Sequence, residues 1–183
     1  MSCAGVVLAA GASRRLGRAK QMVEIGGETL LERAVRVAVE AGLEPVIVVV
    51  RDEEVGKSLR GCEVVVNPLA DEGMAASIRC GVARAGEIGV SGVVVMACDQ
   101  VALRAEHLVA LCGEADRVTG SGYAGKVGIP AYFPETVFGG LMELRGDVGA
   151  RELLRGAVAV VDEGWGLDVD TEADVDRARE MLG

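Results

Sequence analysis

Short apolar runs rich in β-branched residues alternate along the chain with segments whose apolar positions recur at helical spacing. Cys3 to Ala9, Pro45 to Val50, Glu63 to Val66 and Gly92 to Ala97 read as strands. The runs are nearly continuous rather than alternating, so both faces of these strands are expected to be covered. Between the first two, Leu30, Leu31, Ala34, Val35, Ala38 and Val39 share one helical face. Thr29 and Glu32 have the spacing of a capping box, and Gly42 supplies a stop. Gly73 to Ala85 and Arg104 to Leu111 provide the next crossover helices, and helices between buried strands imply parallel connections.

After about residue 115 the pattern loosens. Asp116 to Tyr123 and Lys126 to Phe133 read as two strands around a Gly-rich turn, an antiparallel addition expected to shape a second substrate's site. A helix from Val148 to Leu154, a strand at Ala157 to Asp162 and a final helix from Thr171 to Met181 complete a three-layer α/β reading with a mostly parallel sheet. A chain of 183 residues suits one domain, 1–183, with no second core required.

Charge narrows the partners. A net charge of −9 opposes non-specific binding to nucleic acid or to an anionic membrane. Cations gather at Arg14, Arg15, Arg18 and Lys20, a positive island suited to a small polyanion bound with a divalent metal. The five cysteines are scattered without C-x-x-C spacing and His107 is the only histidine, which argues against zinc and disulfide frameworks. Scattered thiols suit small buried hydrophobes in a reducing compartment. No charged leader precedes an apolar core, and no apolar run reaches the ~18 residues of a membrane span, so a cytoplasmic location is expected.

The candidate chemistry begins where the first strand ends, at Leu8-Ala9-Ala10-Gly11-Ala12-Ser13-Arg14-Arg15-Leu16-Gly17-Arg18-Ala19-Lys20. Small residues let the backbone approach a nucleotide, glycines permit turns, and amides with Arg and Lys neutralise phosphate. Neither the Walker pattern nor G-x-G-x-x-G fits, which also weakens a dinucleotide-dependent redox reading. The plain alternative is a basic loop between strand and helix.

Ligands in open α/β sheets bind at the carboxyl ends of the strands. The loop Gly11 to Lys20, the segment Asn67 to Ser77 and Asp99 should therefore converge. Asp99 follows a buried strand and suits magnesium, which takes one or two carboxylates and fills its octahedron with water and phosphate oxygens; its alternative is a helix cap. Asp170 reads as the N-cap of the last helix, which leaves Asp168 as the better second metal ligand. Gly73 and Met74 open a helix whose amides face the pocket, and Ser77 suits either a base or ribose contact or close packing. Asp147 and Arg151 flank a glycine turn, either as cap and solvated cation or as contacts to an acidic acceptor. His107 reads as structural. With no nucleophile, base and orienting acid in view, the chemistry should be electrostatic and positional.

Six motifs in order give the chain a resemblance to the MobA-like nucleotidyltransferases, particularly the molybdenum cofactor cytidylyltransferase branch. The opening resembles that family's L-A-A-G-x-S-x-R-M-G-x-x-K. Asn67-Pro68 with Glu72-Gly73-Met74-x-x-Ser77 is similar to N-P…E-G-M-x-x-S, and Asp99-Gln100 to G-D-Q-P. Gly128-x-Pro130 matches G-x-P, Gly146-Asp147-x-Gly149-Ala150-Arg151 matches G-D-x-G-A-R, and Asp168-Val169-Asp170-Thr171 is similar to the start of D-I-D-T-P-E-D.

The resemblance implies a Rossmann-like nucleotidyltransferase fold and transfer of a nucleoside monophosphate from an NTP with release of pyrophosphate. Ala10, where guanylyltransferases carry glycine, favours CTP. The implied acceptor is the terminal phosphate of molybdopterin, with a molybdoenzyme as recipient of the product. Arg15, Lys20 and Asp99 would be catalytic, with Asp99 and Asp168 holding Mg2+. Leu8, Ala9, Ala10, Gly11, Ser13, Asn67, Gly73, Met74 and Ser77 would bind the nucleotide, and Gln100, Asp147 and Arg151 the acceptor. The chain departs from the pattern at Cys98, Val101, Ile129 and Glu172, mostly on the acceptor side. Two other readings stay open: the same fold with a sugar or polyol phosphate acceptor, and a non-catalytic nucleotide or molybdopterin carrier.

Overall fold

The computed structural model describes residues 2–13, 15–123, 125–147, 149–161 and 167–182. Strand β1 (Cys3–Ala9) leads through the cationic loop and a single turn at Lys20–Met22 to a small hairpin of β2 (Glu24–Ile25) and β3 (Glu28–Thr29). Helix α1 (Leu30–Glu40) returns to β4 (Val46–Val50). The one-turn helix α2 (Glu53–Gly56) joins β4 to β5 (Glu63–Val66), and α3 (Met74–Ile88) leads to β6 (Gly92–Ala97). Then follow α4 (Ala105–Leu111), β7 (Thr119–Tyr123), β8 (Lys126–Pro134), α5 (Phe138–Met142), β9 (Val158–Val161) and α6 (Glu172–Leu182).

Seven strands make one sheet in the order β5-β4-β1-β6-β8-β7-β9. Pairings of β1 with β4 and β6, of β4 with β5 and of β7 with β9 are parallel, and only β8 runs against its neighbours. The central strands β4, β1 and β6 are buried on both sides, as their continuous apolar runs require. Val7, Ala9, Val48 and Val50 face a core with α1 and α4, which supply Leu31, Val35, Leu108 and Leu111. Val6, Leu8, Ile47 and Val49 face the opposite core with Ile78 and Val82 of α3 and Phe138 and Leu141 of α5. The Thr29 and Glu32 capping box is formed reciprocally at the start of α1.

A third, smaller core positions the chemistry. Leu16 of the cationic loop packs with Val23, Ile25 and Leu30, with Val101 beyond β6, with Val169, and with Val175 and Ala178 of α6. Val169 is fully buried, so its neighbours Asp168 and Asp170 both turn away from this core. Apolar packing thus fixes where the acidic and basic segments meet.

Three expectations are corrected. The chain makes turns over 149–156 in place of the helix expected from Val148 to Leu154, whose first residue lies outside the described residues. Gly146 and Gly149 have φ of +64° and +58°, a left-handed geometry that breaks a helix start. The helix of this region is α5, only five residues with two glycines, too short to leave a periodic signal. Asp170 is not the cap of the last helix. Thr171 Oγ1 accepts from the Asp174 amide at 3.3 Å, and Asp174 Oδ2 accepts from the Thr171 amide at 2.8 Å. The capping box therefore belongs to Thr171 and Asp174, and it leaves the Asp170 carboxylate free for the cleft. Finally, β7 starts at Thr119 rather than Asp116, and β9 starts at Val158, with Asp162 outside the described residues.

Hydrogen bonds from Thr171, then from Arg177, hold the Asp174 carboxyl below the usual carboxylate range. A depressed folded-state pKa contributes stability that is complete above the ordinary carboxylate value and lost as pH falls through the folded one. Asp174→Ala should therefore lower the unfolding free energy by about 1 kcal/mol at neutral pH. In urea titrations the difference from wild type should close as pH drops below about 4.

Candidate active site

The loop after β1 is closed on itself by Ser13. Its φ of +49° turns the chain back, its carbonyl accepts from the amides of Leu16 at 3.2 Å and Gly17 at 3.1 Å, and its hydroxyl accepts from the Lys20 amide at 3.0 Å. Leu16, 8% exposed, anchors the loop in the third core. Lys20 is thereby aimed inward, where its ammonium donates to the Asp99 carboxylate and, at 3.2 Å, to Asp170 Oδ1. Arg15 Nη2 meets Asp170 Oδ2 at 2.7 Å, and Arg18 makes a two-pronged pair with Glu172, both contacts at 3.0 Å. Arg14 lies outside the described residues.

Burial works against the Lys20 ammonium, yet Asp99 and then Asp170 override it, and its pKa is raised. Lys20 therefore stays cationic at neutral pH. Asp168 presents much of its surface to solvent. Even so, desolvation of its carboxyl and then the charges of Asp99 and Asp170 push that group up to about 6. Three carboxylates share this corner, and negative charge is in excess even with Lys20 present.

On the other flank, Asn67 is buried and bridges two elements. Its Oδ1 accepts from the Leu69 amide at 2.9 Å, and its Nδ2 donates to Ser77 Oγ at 3.0 Å. Ser77 accepts from Asn67, so its own proton is free to donate to a ligand. Gly73 precedes α3 with φ of +104°. The first amides of α3 are already engaged: Met74 donates to Asp147 Oδ1 at 3.3 Å and Ala75 to the Gly146 carbonyl at 3.0 Å. Asp147 therefore caps α3, not a following helix, and a carboxylate occupies a helix start that would otherwise attract phosphate.

These parts surround a cleft of about 370 Å³ at the carboxyl edge of the sheet, lined by 8–13, Arg15, Lys20, Gly73, Met74, Ser77, Asp99, Asp147 and Asp170. Asn67 stands behind Ser77. Gln100, Arg151 and Asp168 are not among the lining residues. The Gln100 side chain is engaged structurally: Oε1 accepts from the Ala97 amide at 3.1 Å and Nε2 donates to the Ile129 carbonyl at 2.9 Å, holding β8 against β6. Arg151 is exposed. Sequence reasoning missed Arg51 and Asp71, paired at 2.8 Å on the cleft wall, although Arg51 directly follows β4 at the edge where ligands bind. Cys98 is buried and its thiol is pushed up to about 12, chiefly by burial, so it sits beside Asp99 as a neutral thiol. Among the described residues, a second hollow of about 480 Å³ between the ends of α1, β4 and β5 has only Glu44 and Glu63 as charged lining, which disfavours phosphate there.

The donor set bears on a metal. Among the described residues no three His, Cys, Asp or Glu are gathered at ligand spacing. Asp99 and Asp170 do share one cation, the Lys20 ammonium, where a divalent ion with water and phosphate oxygens would find two carboxylates. The chemistry of the site therefore fits magnesium. Also among the described residues, no helix is long and apolar enough to cross a membrane.

A Cβ on Gly73 would lie 2.3 Å from Asp147 Oδ1 and 2.8 Å from the Gly146 carbonyl. Gly73→Ala should thus expel the 146–147 turn and lower stability by about 1–3 kcal/mol, read as a drop in thermal midpoint.

Residues 5–162 match the model of the MobA-like NTP transferase domain. The purine catabolism protein PucB of Bacillus subtilis is 34% identical, over 97% of this chain and 96% of its own. The "Probable molybdenum cofactor guanylyltransferase" of Opitutus terrae is 41% identical, over 56% of this chain and 50% of its own. The crystal structure of Rv0371c from Mycobacterium tuberculosis superposes with a TM-score of 0.84 at 34% identity, covering 98% of both chains. The same mycobacterial protein has been solved in complex with manganese. With its Rossmann-like α/β fold and a cationic loop facing carboxylates across the cleft, this chain belongs to the MobA-like NTP transferase family and is a nucleotidyltransferase.

Proposed function

We propose that the chain transfers CMP from CTP to the terminal phosphate of molybdopterin and releases pyrophosphate. The observation that carries this reading is the network joining Lys20 and Arg15 to Asp99 and Asp170 inside one cleft. It stores the two charge types that a metal–triphosphate complex requires: carboxylates for the cation and cations for the phosphates.

Arg15 and Lys20 leave the carboxylates when the substrate arrives and neutralise the β and γ phosphates. Asp99 and Asp170 are the carboxylates proposed to hold Mg2+. Asp170 takes the place expected for Asp168 because Thr171 and Asp174 relieve it of capping. When bound, Mg2+ supplies charge neutralisation at the phosphates. The acceptor phosphate oxygen attacks the α-phosphorus in line with the pyrophosphate leaving group. That oxygen is already anionic at neutral pH, so no general base is needed. Positioning and charge stabilisation carry the rate.

Ala10 supports CTP, having a side chain where the guanylyltransferase pattern has glycine. Ser77, held by Asn67, supplies a hydroxyl to the base or ribose. GTP is the second reading, favoured by the partial match to the Opitutus terrae protein. Asp147, on the cleft wall, is the remaining side chain for the acceptor, and Arg151 serves it only after a rearrangement of the 149–156 turns. A recipient molybdoenzyme would follow from the product's chemistry.

The test is pyrophosphate release with Mg2+, molybdopterin and each of the four NTPs in parallel. Release with CTP alone supports the proposal. Release with GTP alone moves the base assignment, and release only with a sugar or polyol phosphate moves the acceptor. Nucleotide binding without release under every condition favours the carrier.

Lys20→Ala should lower kcat/KM by about 10²–10³ with the circular dichroism spectrum unchanged, the loss seen when one stabilising donor is removed. Asp170→Asn should raise the Mg2+ concentration needed for half-maximal activity at least as far as Asp168→Asn does. A larger effect at Asp168 would return the second ligand to that residue.

A further inference from the structure

Away from the cleft, at the opposite end of β1, two thiols distant in sequence meet. Cys3 Sγ and Cys112 Sγ lie 3.7 Å apart, although the two residues are 109 positions apart in the sequence. Both are free and only partly buried, so a small oxidant reaches them, whereas Cys98 is sealed in the core. Their backbones are held on independent elements. Cys3 pairs with Gly92 in the β1–β6 ladder, and its carbonyl accepts from the Glu44 amide at 2.8 Å. Cys112 closes α4, its amide donating to the carbonyls of Leu108 and Val109 at 3.3 and 3.1 Å. A disulfide needs the sulfurs at about 2.05 Å, a closure within reach of side-chain rotation once they are already in contact.

We propose that Cys3 and Cys112 form a redox modification site, closing to an intramolecular disulfide when exposed to a low-molecular-weight disulfide such as oxidised glutathione. The Cys112 thiolate attacks one sulfur of glutathione disulfide, its S–S bond breaks, and one glutathione thiolate leaves. The Cys3 thiolate then attacks the Cys112 sulfur of the mixed disulfide and expels the second glutathione. The two protein thiols are oxidised, glutathione disulfide is reduced to two thiols, and the two protons from Cys3 and Cys112 end on them. The hydrogen bond between the two thiols lowers the Cys112 pKa, and the steps balance equally with Cys3 attacking first.

The bond would staple the start of β1 to the end of α4 across a long loop, the arrangement in which a cross-link restricts the unfolded chain most. The seven residues of β1 place this bond about 20 Å from the nucleotide loop. The expected consequence is a gain in stability, with turnover unchanged.

The test treats the folded full-length chain with oxidised glutathione and maps cysteines by peptide mass spectrometry without reductant. The proposal expects a Cys3–Cys112 cross-linked peptide and a thermal midpoint higher by about 5–10 °C, reversed by dithiothreitol and lost in Cys112→Ser and in Cys3→Ser. Pyrophosphate release should stay within twofold of the reduced protein. Glutathione held on either cysteine without the cross-link, a bond through Cys62 or Cys80 instead, or a cross-link formed only in denaturant overturns it. The mapping on wild type decides the matter even if a serine variant fails to fold.

Discussion

The contact on which the site depends is the Lys20 ammonium held between Asp99 and Asp170. It ties together three parts of the chain far apart in sequence: the loop after β1, the end of β6 and the extended segment before α6. Each is fixed by apolar packing rather than by the ions. Leu16 anchors the loop, Val101 the turn beyond Asp99, and Val169 the strand-like segment, all in one small core with α6. The charges are brought together by hydrophobic burial, and their mutual attraction then sets the side-chain directions. An ion pair in this setting is weak evidence of stability, because desolvation offsets much of its Coulomb energy. In the function proposed above, it keeps charged groups poised for exchange with a substrate that carries the same two charges.

Under that proposal, the exchange accounts for an arrangement that would otherwise be costly. The protein carries a net charge of −9, and Asp168, Asp99 and Asp170 crowd one corner of it. A free triphosphate would meet repulsion there, while a triphosphate with its metal brings the compensating charge. Asp147, seated on the first amides of α3, follows the same logic on the opposite flank, since one of its carboxylate oxygens occupies a place that favours anions.

Much of this was legible in the residues. Continuous apolar runs at β1, β4 and β6 announce buried parallel strands, and the carboxyl ends of such strands are where a cleft is expected. The small residues from Leu8 to Ser13 and the cations at 15 and 20 marked the loop. Apart from Arg51, which directly follows β4, what escaped had no local signal. Asp170 looked like a helix cap because it precedes Thr171, and only the reciprocal bonds of Thr171 and Asp174 show that the cap lies one residue later. Gln100 looked available because it neighbours Asp99, but its partner Ile129 is 29 residues away. Arg51 and Asp71 meet across two connections, and α5 is too short to be periodic.

The central claim is that Asp99 and Asp170 hold the metal while Lys20 transfers to phosphate. Its most direct test is a crystal structure with Mn2+ and a CTP analogue blocked at the α,β bridge, with the ion placed by its anomalous signal. The account predicts a manganese peak between the Asp99 and Asp170 carboxylates, with the Lys20 ammonium moved onto a phosphate oxygen. Manganese bound elsewhere, with Lys20 still bridging Asp99 and Asp170, would contradict it.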